Sequence, residues 1–184
     1  MVGATAQIST SYFEDCKAKL SAGAVSASAL DRYPAVPLTA MLQCQGCTFR
    51  KNLAIDRGGA VAVSAQSAGS ILHSTFIDNS AESGGAFAVT GQSTITIQGS
   101  QFDRNTASGL GGGALRVQSS TVTLVFNTFS RNTASAGGGG GLLWDGDTEM
   151  LVHRMQARLA CGVCRRSGQR PRLLRALPSW LVQR

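Results

Sequence analysis

The chain has 184 residues, of which 22 are Gly, 6% are aromatic and 15% are charged, a balance that fits one domain with an appendage and disfavours a compact globule built on a large aromatic core. Its net charge of +7 is no sign of a generally basic, nucleic-acid-binding surface. Residues 1–149 hold nine Lys or Arg against ten Asp or Glu, whereas 150–184 hold eight Arg and no acid.

No basic start followed by a sustained apolar run opens the chain, so no secretory signal peptide is visible. No run of about 18 apolar residues occurs anywhere, so no transmembrane span is expected. Residues 1–27 take their meaning from what recurs downstream. Ala6, Ile8 and Phe13 stand at the same relative offsets as Ile95, Ile97 and Phe102, which makes 1–27 a degenerate first turn of a repeat. In it Cys16 stands where later turns have Asn, and Ala22-Gly23-Ala24-Val25 replaces a later Gly-Gly-Ala. Phe13 and Phe49 are 36 residues apart instead of 27, so about nine residues are inserted. Pro34 and Pro37 place the insertion in a loop over about residues 28–40, read as a tolerated surface insertion or as a binding loop.

Cys44-Gln45-Gly46-Cys47 is the first of two C-x-x-C pairs, the second being Cys161 and Cys164. Their separation is far beyond zinc-ribbon spacing, and the first pair falls on core columns of the repeat, so packing explains it without a metal. A disulfide among Cys16, Cys44 and Cys47 is the alternative for an exported chain.

The regular repeat occupies 47–144. Phe-x-x-Asn occurs at Phe49 to Asn52, Phe76 to Asn79, Phe102 to Asn105 and Phe129 to Asn132, with the phenylalanines 27, 26 and 27 residues apart. A glycine pair follows each of the first three, at Gly58-Gly59, Gly84-Gly85 and Gly112-Gly113, and a five-glycine run from Gly137 to Gly141 follows the fourth. A fixed period of this size means one structural unit stacked on the next. After each glycine pair the chain alternates with period two, as in Ala86-Phe87-Ala88-Val89, which is a strand signature. Arg116 falls in phase with Ala62 and Ala88, so that phase is expected to face solvent and Val61, Phe87, Leu115 and Leu142 to face inward. A second alternating run precedes each Phe (Ile95 and Ile97; Val122 and Leu124), and the Phe itself sits on a third short strand.

Three short strands per turn predict an all-β, right-handed parallel β-helix of about four to five turns, over residues 1–146. In such a stack Asn52, Asn79, Asn105 and Asn132 would form an amide ladder beside the column Phe49, Phe76, Phe102 and Phe129. The glycines would turn the chain at positive φ where a Cβ would clash. Few residues suggest chemistry. His73 reads as a solvated or packed residue, and Asp78 and Asp103 sit at different offsets and are expected to diverge. No catalytic, cofactor or metal residue is assigned.

From 147 to 184 the composition turns Arg-rich. Residues 148–160 could form a helix capped by Asp147 or Thr148, with Leu151, Val152, Met155 and Leu159 on one face covering the open end of the solenoid. The alternatives are a basic membrane-surface segment, a nucleic-acid-binding segment, or a stretch with no selected structure.

The paired Gly-Gly-Ala and Phe-x-x-Asn motifs resemble the repeats of polymorphic outer membrane proteins and, more broadly, the pectin-lyase-like right-handed β-helix superfamily. The resemblance covers about 47–144. It implies a surface-displayed or secreted adhesin-like module, extracellular or at the cell surface, whose partner is a protein or a glycan and not a specific nucleic acid. The same superfamily includes polysaccharide lyases and glycoside hydrolases, which is the alternative reading. Their sites require sets of carboxylates with a basic partner, and the polygalacturonase-like motifs are absent from this sequence; Asp145-Gly146-Asp147 is the nearest acidic cluster.

Overall fold

The computed structural model describes residues 4–29, 39–136, 138–158 and 163–165. Its strands wind into a parallel solenoid with four sheets running along its length. Sheet A contains Thr5–Ser9, Met41–Gln45, Ala68–Leu72, Thr94–Gln98, Thr121–Val125 and Glu149–His153. Sheet B carries the Phe strands, Tyr12–Glu14, Thr48–Arg50, Thr75–Ile77, Gln101–Asp103, Thr128–Ser130 and Gln156–Arg158. Sheet D carries the strands after the glycine pairs, from Val25–Ser28 to Val163–Arg165. About four regular turns, 41–145, follow a divergent first turn, and Glu149–His153, Gln156–Arg158 and Val163–Arg165 continue three of the sheets beyond them.

The expected alignment of units is the observed register. Phe76 pairs with Phe49 on one side and Phe102 on the other, and Phe87 with Val61 and Leu115. The first turn pairs in the same register, Phe13 opposite Phe49 and Val25 opposite Val61. Its insertion therefore lies between Ser28 and Met41, and residues 30–38 of that loop lie outside the described residues. Inward columns pack aliphatic and aromatic side chains directly over their equivalents, so burial repeats turn by turn: Ile71, Ile97 and Leu124 are all fully buried, as are Phe49, Phe76, Phe102 and Phe129. Each such side chain contributes about 1.5–3 kcal/mol by leaving water.

Three expectations are corrected. First, each complete turn has four strands. A short sheet C, formed by Lys17–Ala18, Leu53–Ala54, Ser80–Ser83, Thr106–Gly111 and Thr133–Ala134, follows the Asn. Its inward column is Ala18, Ala54, Ala81, Ala107 and Ala134, small enough to let the wall run close to the core; Ala54, Ala81 and Ala107 are fully buried.

Second, the phase containing Arg116 does not face solvent. Arg116 is 4% exposed and Ala62, Ala88 and Leu143 in its column are buried with it. The turn glycines lie against this column, with Gly58 close to the Ala62 Cβ and Gly84 close to the Arg116 Cβ. Burial of the guanidinium is offset by Asp145, one turn on, whose Oδ2 accepts from Nη2 at 2.8 Å.

Third, no helix forms over the described part of 148–160. Glu149–His153 extends sheet A and Gln156–Arg158 extends sheet B. Met150 and Val152 continue the inward columns of Val122 and Leu124. The parallel edge of Thr121–Val125 offers a full row of backbone partners, which an isolated helix could not satisfy. Residues 159–162 and 166–184 lie outside the described residues.

Candidate interaction surface

Each corner of the solenoid is held by its own device, and together they decide which faces are available. At the B-to-C corner stands the asparagine ladder. Asn52, Asn79 and Asn105 each donate from Nδ2 to the Oδ1 of the next Asn at 3.0 Å, and each backbone N–H donates to that same oxygen. The second amide hydrogen of each goes back one turn to a Phe carbonyl, as Asn79 to Phe49 at 3.0 Å. These amides are buried and, from Asn79 to Asn105, use both donors and both acceptor sites. The ladder's rings stack beside it, with Phe49–Phe76, Phe76–Phe102 and Phe102–Phe129 centroids 4.8, 4.7 and 4.8 Å apart. Cys16, at the first Asn position, joins through its backbone N–H only, which donates to Asn52 Oδ1 at 3.1 Å.

At the C-to-D corner the two glycines of each pair have different tasks. Gly84 holds φ +61, whereas Gly85 is needed because a Cβ there would run into the carbonyl oxygens of Gly113 and Thr106 in the next turn. The A-to-B corner carries a second ladder, which the spacing of the sequence motifs does not reveal. Ser74 and Ser100 hydroxyls and the Asn127 amide oxygen accept backbone N–H groups from Cys47, Ser74 and Ser100, at 3.2, 3.1 and 2.9 Å.

Outside the Asn ladder runs a charged ridge. The residue before each Asn (Lys51, Asp78, Arg104, Arg131) has positive φ, between 52° and 55°, which turns its side chain out to solvent. The different offsets of Asp78 and Asp103 predict divergence, but both carboxylates meet the same arginine. Arg104 joins them, with Nε 2.7 Å from Asp78 and Nη1 2.6 Å from Asp103, and Arg131 adds a second contact to Asp103 at 2.6 Å. Stacking turns bring offsets that differ by one residue within reach of a long Arg side chain. Burial would raise the Asp103 carboxyl; hydrogen bonds from Ser130 and Arg131 and the charges of Arg104 and Arg131 outweigh it and hold the group below its ordinary value. Glu14 is likewise engaged by Arg50 at 3.2 Å. Asp145 of the acidic cluster is taken up by Arg116. Among the described residues no three His, Cys, Asp or Glu side chains are grouped to hold a metal.

The outer face of sheet A is different. Its outward columns are Gln7, Gln43, Ser70, Thr96 and Thr123 in the centre, flanked by Thr5, Met41, Ala68, Thr94 and Thr121 on one side and Ser9, Gln45, Leu72, Gln98 and Val125 on the other. Five strands thus present no charged side chain, and the first ionisable groups on the face are Glu149 and His153 in the sixth. Gln7 donates to Gln43 at 3.0 Å along the central column. A concavity of 370 Å³ opens at the amino-terminal end of the face between Gln7, Gln43, Gln45 and Ser70. At the opposite end the half-exposed Phe126 ring stands on the A-to-B corner with the Arg154 guanidinium 5.4 Å from its centroid. His73, on the same corner, lies exposed with its ring over Gly99.

Among the described residues no helix is long and apolar enough to cross a membrane. Residues 1–156 match the family model for the right-handed β-helix region. No curated protein and no solved structure gives a significant match. The family match spans most of the chain and agrees with the parallel four-sheet winding and its ladders, so the chain belongs to the right-handed β-helix family.

Proposed function

We propose that this β-helix is a non-catalytic interaction module that binds a neutral, extended ligand along the outer face of sheet A. The observation that carries the reading is the separation of charge. The acids on the ridge are tied to arginines, and five consecutive strands of sheet A show only Thr, Ser, Gln and apolar side chains. Rows of hydroxyls and amides at inter-strand spacing suit the repeated hydroxyls of a neutral glycan, and Phe126 offers a ring face for a sugar at the end of the row. The polymorphic outer membrane repeat resemblance supports the same use, as part of a surface-displayed or secreted adhesin-like protein.

The test is binding of a panel of neutral and acidic oligosaccharides to the full-length chain and to a Thr96→Lys, Thr123→Lys variant, whose substitutions are outward and leave the core columns untouched. Neutral oligosaccharides are expected to bind and to lose at least about tenfold in affinity in the variant, about 1.4 kcal/mol. Equal binding by both chains, or binding confined to acidic sugars, overturns the placement on sheet A.

A further inference from the structure

We propose that Cys44 and Cys47 form an oxidative modification site, closing as an intramolecular disulfide across the A-to-B corner of the second turn. Their sulfurs are already in contact at 3.3 Å, and both side chains are 1% exposed. A disulfide needs about 2.05 Å, so the corner must close by little more than an ångström. Gly46 between them sits at φ +64 with open space around it, the nearest atom to a Cβ built there being Thr10 Oγ1 at 4.0 Å. The corner therefore has room to adjust.

Packing alone does not require this pair. In the following turns the equivalent positions hold Ile71 with Ser74, Ile97 with Ser100 and Leu124 with Asn127, an aliphatic residue plus a ladder acceptor. At Cys47 the ladder group is a thiol resting 3.6 Å from the Ile8 carbonyl and 3.5 Å from that of Gln45. A serine, as at the equivalent Ser74 and Ser100, would make stronger hydrogen bonds in the same ladder. What two thiols add is the bond they can form with one another. Cys44 borders the 370 Å³ concavity on sheet A, but its thiol lies in the inward column beside Ile71 and is buried, so a small oxidant reaches the sulfur when the corner opens locally. Cys16 lies on a different corner, with its Sγ 3.6 Å from the Glu14 carbonyl.

The oxidant is a small aliphatic disulfide of the glutathione type. The Cys44 thiol loses its proton to solvent and attacks one sulfur of the reagent, forming a mixed disulfide and releasing one thiol. Cys47 then loses its proton and attacks the Cys44 sulfur, releasing the second thiol. Two protein thiols are oxidised and one reagent disulfide is reduced to two thiols. Burial, followed by the hydrogen bond to Cys47 and its charge, pushes the Cys44 thiol well above its ordinary value, so the first step is slow at neutral pH and speeds up as pH rises.

The test treats the full-length chain carrying Cys16→Ser, Cys161→Ser and Cys164→Ser with oxidised glutathione. Trypsin then releases residues 33–50, which contain both cysteines. The expected product is that peptide lacking two hydrogens, free of glutathione and restored by dithiothreitol, with the melting temperature of the intact protein raised by roughly 4–8 °C. Adding Cys47→Ser, the residue type found at this position in the next two turns, should trap glutathione on Cys44. Peptide mapping of the unsubstituted chain reads the same pair if the background variant fails to fold. Two alkylatable thiols after treatment that fully oxidises the unfolded chain, or a glutathione adduct that persists while Cys47 is present, overturns the proposal.

Discussion

Asn79 Oδ1 accepts two hydrogen bonds from the turn before it, from the Asn52 amide and from the Asn52 backbone N–H, both at 3.0 Å, while Asn79 Nδ2 reaches the Phe49 carbonyl. One side chain thus satisfies three buried polar groups of its neighbour. Asn79→Ala removes the acceptor of the Asn52 backbone N–H and of one Asn52 amide hydrogen and the donor to the Phe49 carbonyl, at about 1–3 kcal/mol each before relaxation, so a loss of roughly 3–5 kcal/mol is expected. Urea unfolding of the variant beside the parent chain measures it; a loss under about 1 kcal/mol would show that the ladder is incidental to stability.

Gly85 is required by close approach and Gly84 by its positive φ. Gly85→Ala drives a Cβ into the backbone carbonyl oxygens of Gly113 and Thr106 in the adjacent turn. The expected loss is about 3 kcal/mol or more, at or above the upper end of ordinary overpacking, read as a fall in melting temperature of the full-length chain.

Strand and helix give opposite answers at residues 151 and 152. A helix would put Leu151 and Val152 on one face, whereas sheet A puts Val152 in the core at 2% exposure and Leu151 outside at 36%. Val152→Asp should destabilise by more than about 3 kcal/mol, because it buries a carboxylate without a partner. Leu151→Asp should cost less than about 1 kcal/mol. Thermal melts of the two variants decide it.

Asp103 makes acid stability testable. Its folded carboxyl titrates below the ordinary value of 3.8, so its ionised form is favoured by folding. That contribution is fully present above the unfolded value and is lost as pH falls through the lower, folded one. The gap in melting temperature between the parent and Asp103→Asn should therefore be constant near neutrality and shrink below pH 4 or so. The effect is modest, since the arginine partners are 44% and 53% exposed and solvent screens them.

The period, the Phe and Asn columns and the inward phase of sheets A and D could be read from residue order, because stacking equivalent positions makes the three-dimensional neighbour the residue one period away. Sheet C escaped because two-residue strands such as Leu53–Ala54 are too short to show alternation. Arg116 misled because its neutralising partner, Asp145, lies one turn later and two positions along the adjacent strand, a relation no parity rule expresses. Residues 149–153 fit both periods, with Met150 and Val152 alternating as a strand and Leu151, Val152 and Met155 grouping as a helix; the unpaired edge of Thr121–Val125 settles it. The charge-free face of sheet A was present in the sequence, at every second residue of the runs before each Phe, and it takes the fold to show those residues as one continuous surface.

The most direct measurement is to equilibrate the full-length chain with a neutral oligosaccharide of the bound class, recover the ligand, and determine both the amount bound and its chain length. The account predicts saturable binding with the ligand returned at its original length. Shortened or unsaturated products would contradict the non-catalytic reading, and no binding across the neutral panel would contradict the role assigned to sheet A.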